Sequence, residues 1–283
     1  MTIMLPARDS FPMRLWAKAT AQVWSVQSID FGPDRVSWAT ASAQEQSGIW
    51  QVVSLFLRGE RAVSQNLLPL IQRVAAEERF EEELFLTSFL ADEARHVDLF
   101  CLFFEQIGGR EAEPTSLPSY DRILEEELTP ALQELAVDGS PEAQVRAAVA
   151  FHMVVEGVMA QAGLYLLRRM LGQRGLLPSL EQAIRLVHRD EARHIAYGVF
   201  LLCRLVIEHG NRAYGAFLQR MSALKPPIEQ FTRELMGALG RDNAFGIKTE
   251  ELEEFSQRQF AIRVGRIIRA RTQSLRELQL EGV

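Results

Sequence analysis

Cysteine is scarce in this 283-residue chain, with only Cys101 and Cys203, far apart and in apolar surroundings. Two such thiols speak against a disulfide framework and fit reduced core residues of a cytoplasmic protein. No uncharged apolar run suggests a membrane span. The opening stretch MTIMLPARDSFPMRLW lacks a continuous apolar segment leading to a small-residue cleavage site, so a cytoplasmic location is expected. The net charge is only −6, which argues against nucleic acid as a partner. One local exception is the run Arg258, Arg263, Arg266, Arg269, Arg271 and Arg276, expected to be a solvated basic helix face open to weak contact with a membrane or an anion. Alternating β-type patterns are short and few, and no solenoid repeat is present.

What is abundant is helical periodicity. Hydrophobic residues make up 47% and charged residues 24%, the proportions of a globular chain that can bury a large core. After a Pro/Gly/Asp-bearing stretch from Ser25 to Ser37, the pattern predicts about six long helices. The first runs from near Ala43 to Ala76, and the second from near Arg79 to Ile107, stopped by Gly108-Gly109. A loop with Pro114 and Pro118 leads to a third near Tyr120 to Val137. Ser140-Pro141-Glu142 opens a fourth reaching about Leu171. Pro178-Ser179 opens the fifth, near Leu180 to Glu208, and Asn211 opens the sixth. An all-α bundle forming a single domain over residues 1–283 is expected.

One pentapeptide, Asp-Glu-Ala-Arg-His, occurs twice, at 92–96 and at 190–194. Within each copy the Glu and His are three apart, so Glu93 with His96 and Glu191 with His194 leave one helix face a turn apart. Those faces are otherwise apolar. The second helix reads Leu86, Phe89, Glu93, His96, Phe100, Phe103, and the fifth reads Ile184, Val187, Glu191, His194, Gly198, Leu201. Glu60 interrupts the stripe Val53, Phe56, Val63, Leu67, and Glu156 interrupts Val149, His152, Met159, Gly163. A buried carboxylate costs several kcal/mol unless paired or metal-bound, so four of them call for a compensating cation. Four Glu and two His on four helices match the two-metal site of ferritin-like bundles. Oxygen-rich ligation with one imidazole per metal suits iron or manganese, either Mn/Fe or Fe/Fe, and the lack of thiolates argues against structural zinc. The metal-binding core then spans about residues 43–208, with a basic C-terminal helix at about 250–276.

In order and spacing, Glu60, Glu93 and His96, Glu156, Glu191 and His194 resemble the small subunit of class I ribonucleotide reductase. They resemble still more closely its relatives, the ligand-binding oxidases with a mixed manganese/iron centre and a fatty-acid-like ligand. The segments Phe89–Phe100, Pro141–Ala147, Val155-Glu156-Gly157 and Gly163-Leu164-Tyr165 are similar to the oxidase branch, and Trp24, Asp30 and Phe31 fit the wider superfamily. The resemblance implies a ferritin-like bundle of the ribonucleotide reductase small-subunit type and a homodimer. It also implies an O2-dependent oxidase acting on a C–H bond of a long-chain fatty acid or similar apolar ligand. Asp190 would accept from His96 and link it to Trp24, and Val63, Phe151, Met159, Gly163 and Leu164 would line the cavity.

The chain departs from both branches. The radical tyrosine of reductase subunits, four residues after the first histidine ligand, is here Phe100, and the last tyrosine is Tyr214, too early for a C-terminal relay. The oxidase branch joins a valine to a tyrosine through an ether bond. Val63 matches the valine, but Phe151 stands at the tyrosine position without a hydroxyl oxygen. His152, one turn before Glu156, reads as a satisfied core histidine able to hydrogen-bond a ligand or water, and His188 and His209 read as surface or loop residues. A reductase radical subunit, or a ferritin-like iron-storage or peroxide-scavenging protein, are the alternative readings.

Overall fold

The N-terminal third of the chain shows how local chemistry starts and stops its helices. The structure, a computed structural model, describes residues 5–108, 116–240 and 243–281. Helix α1 (Phe11–Ala21) starts on Ser10, whose side chain accepts from the Met13 N–H, with Pro12 in its first turn. Helix α2 (Gly32–Thr40) also carries a proline in its first turn. Both lie ahead of the first helix expected from periodicity. The Pro and Gly that read as breakers there are helix starters, because the first turn needs no proline N–H.

Ser42 and Glu45 form a reciprocal capping box at the start of α3 (Ala43–Asn66). The single helix expected to run on to Ala76 is broken at Leu67. Pro69 sits in the first turn of a new helix, α4 (Leu68–Ala76), where its ring and missing N–H cannot continue the preceding ladder. Helix α5 (Phe80–Ile107) ends at Gly108, where a Cβ would lie 1.7 Å from the Trp50 ring. Gly109 and Pro114 lie outside the described residues.

Two of the expected helices change winding along their length. The third comprises α6 (Pro118–Arg122), a π-wound segment Ile123–Leu128, and α7 (Thr129–Glu134). The fourth begins at Ser140, which caps the Ala143 N–H, and comprises α8 (Pro141–Ala148), a π-wound segment Val149–Ala160, and α9 (Gln161–Arg174). It stops at Gly175, in the left-handed region at φ 61°, which glycine enters at no steric cost. Residues Pro141–Gly172 are long and apolar enough to cross a membrane, but their apolar window is 94% buried inside the fold. They form a core helix.

Helices α10 (Pro178–His209), α11 (Asn211–Leu239), α12 (Thr249–Ala270) and α13 (Leu275–Glu281) complete the chain. Among the described residues there is no strand, and one continuous hydrophobic cluster joins elements from Phe11 to Leu278. The apolar stripes point into it: Phe89, Phe100, Phe103, Ile184, Val187 and Leu201 are fully buried. Each such side chain contributes about 1.5–3 kcal/mol on leaving water. The bundle therefore presents the inner faces of α3, α5, the Val149–Ala160 segment and α10 to one another.

Two expectations need correction. Cys203 is buried, but Cys101 is only half-buried, and both are free thiols. The basic stretch expected as one helix at about 250–276 is split between α12 and α13, and it is not wholly a solvated face: Arg258, Arg269, Arg271 and Arg276 are exposed, whereas Arg263 is buried.

Candidate metal centre

Four stretches of helix deliver the six candidate ligands. Glu60 comes from α3, Glu93 and His96 from α5, Glu156 from the π-wound segment, and Glu191 and His194 from α10; all six are buried. Their donor atoms form two overlapping groups, Glu60, Glu93, His96 and Glu191 in one and Glu93, Glu156 and His194 in the other, with atoms in each within 4.8 Å of one another. His96 Nδ1 lies 3.4 Å from Glu60 Oε2 and 3.6 Å from Glu191 Oε1. His194 Nδ1 lies 3.0 Å from Glu93 Oε1, 3.4 Å from Glu191 Oε1 and 3.8 Å from Glu156 Oε1. Glu93 is thus common to both groups, and Glu191 faces both imidazoles.

Hydrogen bonding leaves these atoms free to ligate. Both imidazoles are held from behind through Nε2, so Nδ1 points inward. His96 and His194 Nδ1, Glu93 and Glu156 Oε1, and Glu191 Oε2 are buried with no hydrogen-bond partner. Orphaned buried polar atoms are expensive, by about 1–3 kcal/mol each and more when charged. Five converging on one point fit a pair of cations.

The electrostatics agree. Burial and the neighbouring carboxylates Glu60 and Glu191 push Glu93 well above the usual carboxylate range, and burial with Glu191 does the same to Glu156. Burial would also raise Glu60, but His96 beside it holds it below the usual range. Burial disfavours a charged His194, yet Asp92 and Glu191 raise it to about 10. Without metal, a proton held on His194 offsets part of the negative charge of the cluster.

Behind the ligands lies a set of residues that the sequence showed only in part. Asp190 Oδ2 is 3.5 Å from His96 Nε2 and accepts from Trp24 Nε1 at 2.7 Å, the linkage that the family resemblance implied. Its counterpart, which the sequence pattern did not single out, is Asp92, whose Oδ2 is 3.4 Å from His194 Nε2. Arg193 Nη2 donates to both acids, at 2.9 Å to Asp92 and 2.6 Å to Asp190. Arg95 donates to Asp92 at 2.6 Å and lies 5.5 Å from the centre of the Trp24 ring. The repeated pentapeptide carried this signal, since what Asp190 does in one copy its equivalent can do in the other. Carboxylates of this kind fix the tautomer and orientation of a ligating imidazole.

His152 Nδ1 is 2.8 Å from Glu156 Oε2, and its Nε2 has no partner. Burial holds this ring down to about 3, so at neutral pH it is neutral, and the tautomer with its proton on Nδ1 donates to Glu156. Gly198 makes room for it: a Cβ there would sit 2.2 Å from His152 Cβ. Phe151 is fully buried, its ring centroid 5.6 Å from Phe89 and 4.2 Å from His152. His188 is half-buried and His209 exposed.

A cavity of about 50 Å³ opens beside the ligands, its wall including Glu60, Glu93, Glu156 and Glu191 together with Phe56, Val63, Met159, Gly163, Phe231 and Leu235. Leu164 is not part of that wall and lines a separate pocket with Arg168 and His188. Phe151 is likewise outside it. Gly163 is required by packing, because a Cβ there would meet the Phe56 ring at 2.6 Å. Tyr120, which sequence reasoning used only to place a helix, also lines the cavity and donates to the Leu55 carbonyl at 2.5 Å.

Comparison with known proteins follows the same lines. The chain matches the family model for the ribonucleotide reductase small chain over residues 2–257. Among solved structures it is similar to a valine-to-leucine variant of an R2-like ligand-binding oxidase with aerobically reconstituted Mn/Fe cofactor. Identity is 32%, over 92% of this chain and 94% of that one, with a TM-score of 0.86. A glycine-to-phenylalanine variant, also with aerobically reconstituted Mn/Fe cofactor, is 31% identical over 93% of this chain and 98% of that one, with a TM-score of 0.87.

Proposed function

Because the chain belongs to the ribonucleotide reductase small-chain family, we propose that it works as an O2-dependent dinuclear-metal oxidase acting on a C–H bond of an apolar ligand held beside the centre. The observation that carries this reading is the set of unpartnered Glu and His atoms converging at the wall of an apolar cavity. Such a pair of ions, manganese with iron or two irons, supplies the redox chemistry with O2 that C–H oxidation requires.

The chain's own residues do the rest. Asp190 and Asp92 hold the two imidazoles with Nδ1 inward. His152 donates to one oxygen of Glu156 and leaves the other free for a metal. Phe56, Val63, Met159 and Leu235 form an apolar wall that keeps bulk water from the centre and favours an aliphatic ligand.

We take that ligand to be a long-chain fatty acid or a comparable apolar molecule. The space present is about 50 Å³, whereas ligand pockets run to roughly 300–1,000 Å³, so a long chain requires Phe56 and Phe231 to turn aside. Assembly as a homodimer belongs to the same proposal. Incubating metal-free protein with Mn(II), Fe(II) and air tests it. Oxygen uptake, a two-metal absorption band and an oxidised ligand recovered by extraction are expected; no uptake and no band would overturn it.

A further inference from the structure

Of the arginines that crowd the C-terminal stretch, Arg263 alone is buried. Its Nη1 donates to the carbonyl of Gly157, the residue after Glu156, in the π-wound segment Val149–Ala160. Its Nη2 lies 3.5 Å from Gln259 Oε1, one turn back on α12. The approach depends on a glycine: a Cβ on residue 157 would lie 3.0 Å from Arg263 Nη1 and 2.6 Å from the His152 carbonyl oxygen.

A π-wound turn is an uncommon backbone state that occurs chiefly at functional sites, and something outside the helix must favour it over ordinary α winding. The winding decides where Glu156 points, because moving to α geometry rotates every following side chain about the axis. A buried guanidinium donating to a backbone carbonyl is a charge-assisted bond, about twice as strong as a neutral one, and it fixes a point on the backbone one residue from the ligand. Arg263 also brings a positive charge into the field of Glu156.

We propose that Arg263 is a positioning residue of the metal centre: by holding the Gly157 carbonyl it keeps the π-wound turn in the register that presents Glu156, making α12 part of the site. This rests on the reading of the six ligands as a two-metal site. Its effect is one-sided, because Glu156 belongs to the group with Glu93 and His194 and not to the group with Glu60 and His96.

Anaerobic titration of Mn(II) into the full chain, followed by calorimetry and by Mn(II) electron paramagnetic resonance, separates the possibilities. Wild type is expected to take two ions. Arg263→Gln is expected to weaken one site by about tenfold, the range for residues that orient ligands, and it is the site that Glu156→Gln weakens. Arg263→Lys, which keeps the charge and most of the stem, should recover part of the loss and is the variant to read if the glutamine form does not fold. Exposed Arg269→Gln should behave as wild type. Equal weakening of both sites, or no weakening in a folded variant, overturns the inference while leaving the metal centre intact. A wild-type chain that takes up no pair of ions overturns the metal reading itself.

Discussion

Asp92, in the first Asp-Glu-Ala-Arg-His copy, holds His194 of the second, its Oδ2 lying 3.4 Å from the imidazole Nε2. Asp190 of the second copy returns the arrangement to His96 of the first at 3.5 Å. Each repeat thus supplies its Glu and His to the candidate metal centre and its aspartate to the other repeat's histidine, with Arg193 donating to both acids. The two helices cannot shift past each other without disturbing both imidazoles.

Asp92→Asn and Asp190→Asn should therefore each weaken metal binding by about 10- to 100-fold, through different ions. Competition with a chelator of known affinity measures this, and the Asp92 variant should affect the ion bound by His194. Unchanged affinity in both would show that the exchanged pairing does not orient the ligands.

Metal uptake should release protons and strengthen as pH rises. His194 is raised to about 10, so at neutral pH it carries a proton that a metal must displace, and Glu93 and Glu156, raised well above their usual range, hold theirs to higher pH than a free carboxylate. Affinity consequently falls as pH drops toward 5 and climbs toward pH 9. A pH-stat titration with Mn(II) counts the protons; zero release at pH 7 contradicts the assignment.

Loss of the metals should lower thermal stability, since the ions bind the folded chain and not the unfolded one. At a hundredfold excess over Kd the stabilisation is about 2.7 kcal/mol per site, which corresponds to several degrees in Tm for a chain of this size. Scanning calorimetry with and without a chelator reads this directly. Coincident transitions would argue against ligation in the folded state.

Aerobic loading should leave the intact mass of the wild-type chain unchanged, because Phe151 has no oxygen with which to bond to Val63. Phe151→Tyr restores the hydroxyl, and a loss of two hydrogens on loading would then reveal ether formation. Intact-mass spectrometry decides; such a loss in the wild type would require another partner for Val63.

Gly163→Ala should drive the Phe56 ring into the cavity, since the added Cβ would meet that ring at 2.6 Å. Overpacking of this kind costs about 1–3 kcal/mol, and binding of an apolar probe should weaken while metal stoichiometry stays at wild-type level. Fluorescence competition with a fatty-acid analogue checks the first effect and elemental analysis the second.

The all-α class, most helix boundaries and the six Glu and His residues that the structure brings together were legible in the sequence, for a local reason: helical periodicity carries every third or fourth residue to one face. An acid or imidazole in an apolar stripe is then visible without knowing what the stripe packs against. Asp190 was legible because the family resemblance singled it out. The rest depends on long-range packing. His194 and Asp92 are 102 residues apart, and Arg263 and Gly157 are 106 apart, so no local pattern couples them. The π winding around Glu156 and the break at Leu67 come from packing and proline geometry, which hydrophobic period does not encode. Arg263 belonged to a run that looked like solvated charge, and its role follows from the bundle closing α12 over a glycine beside a metal ligand.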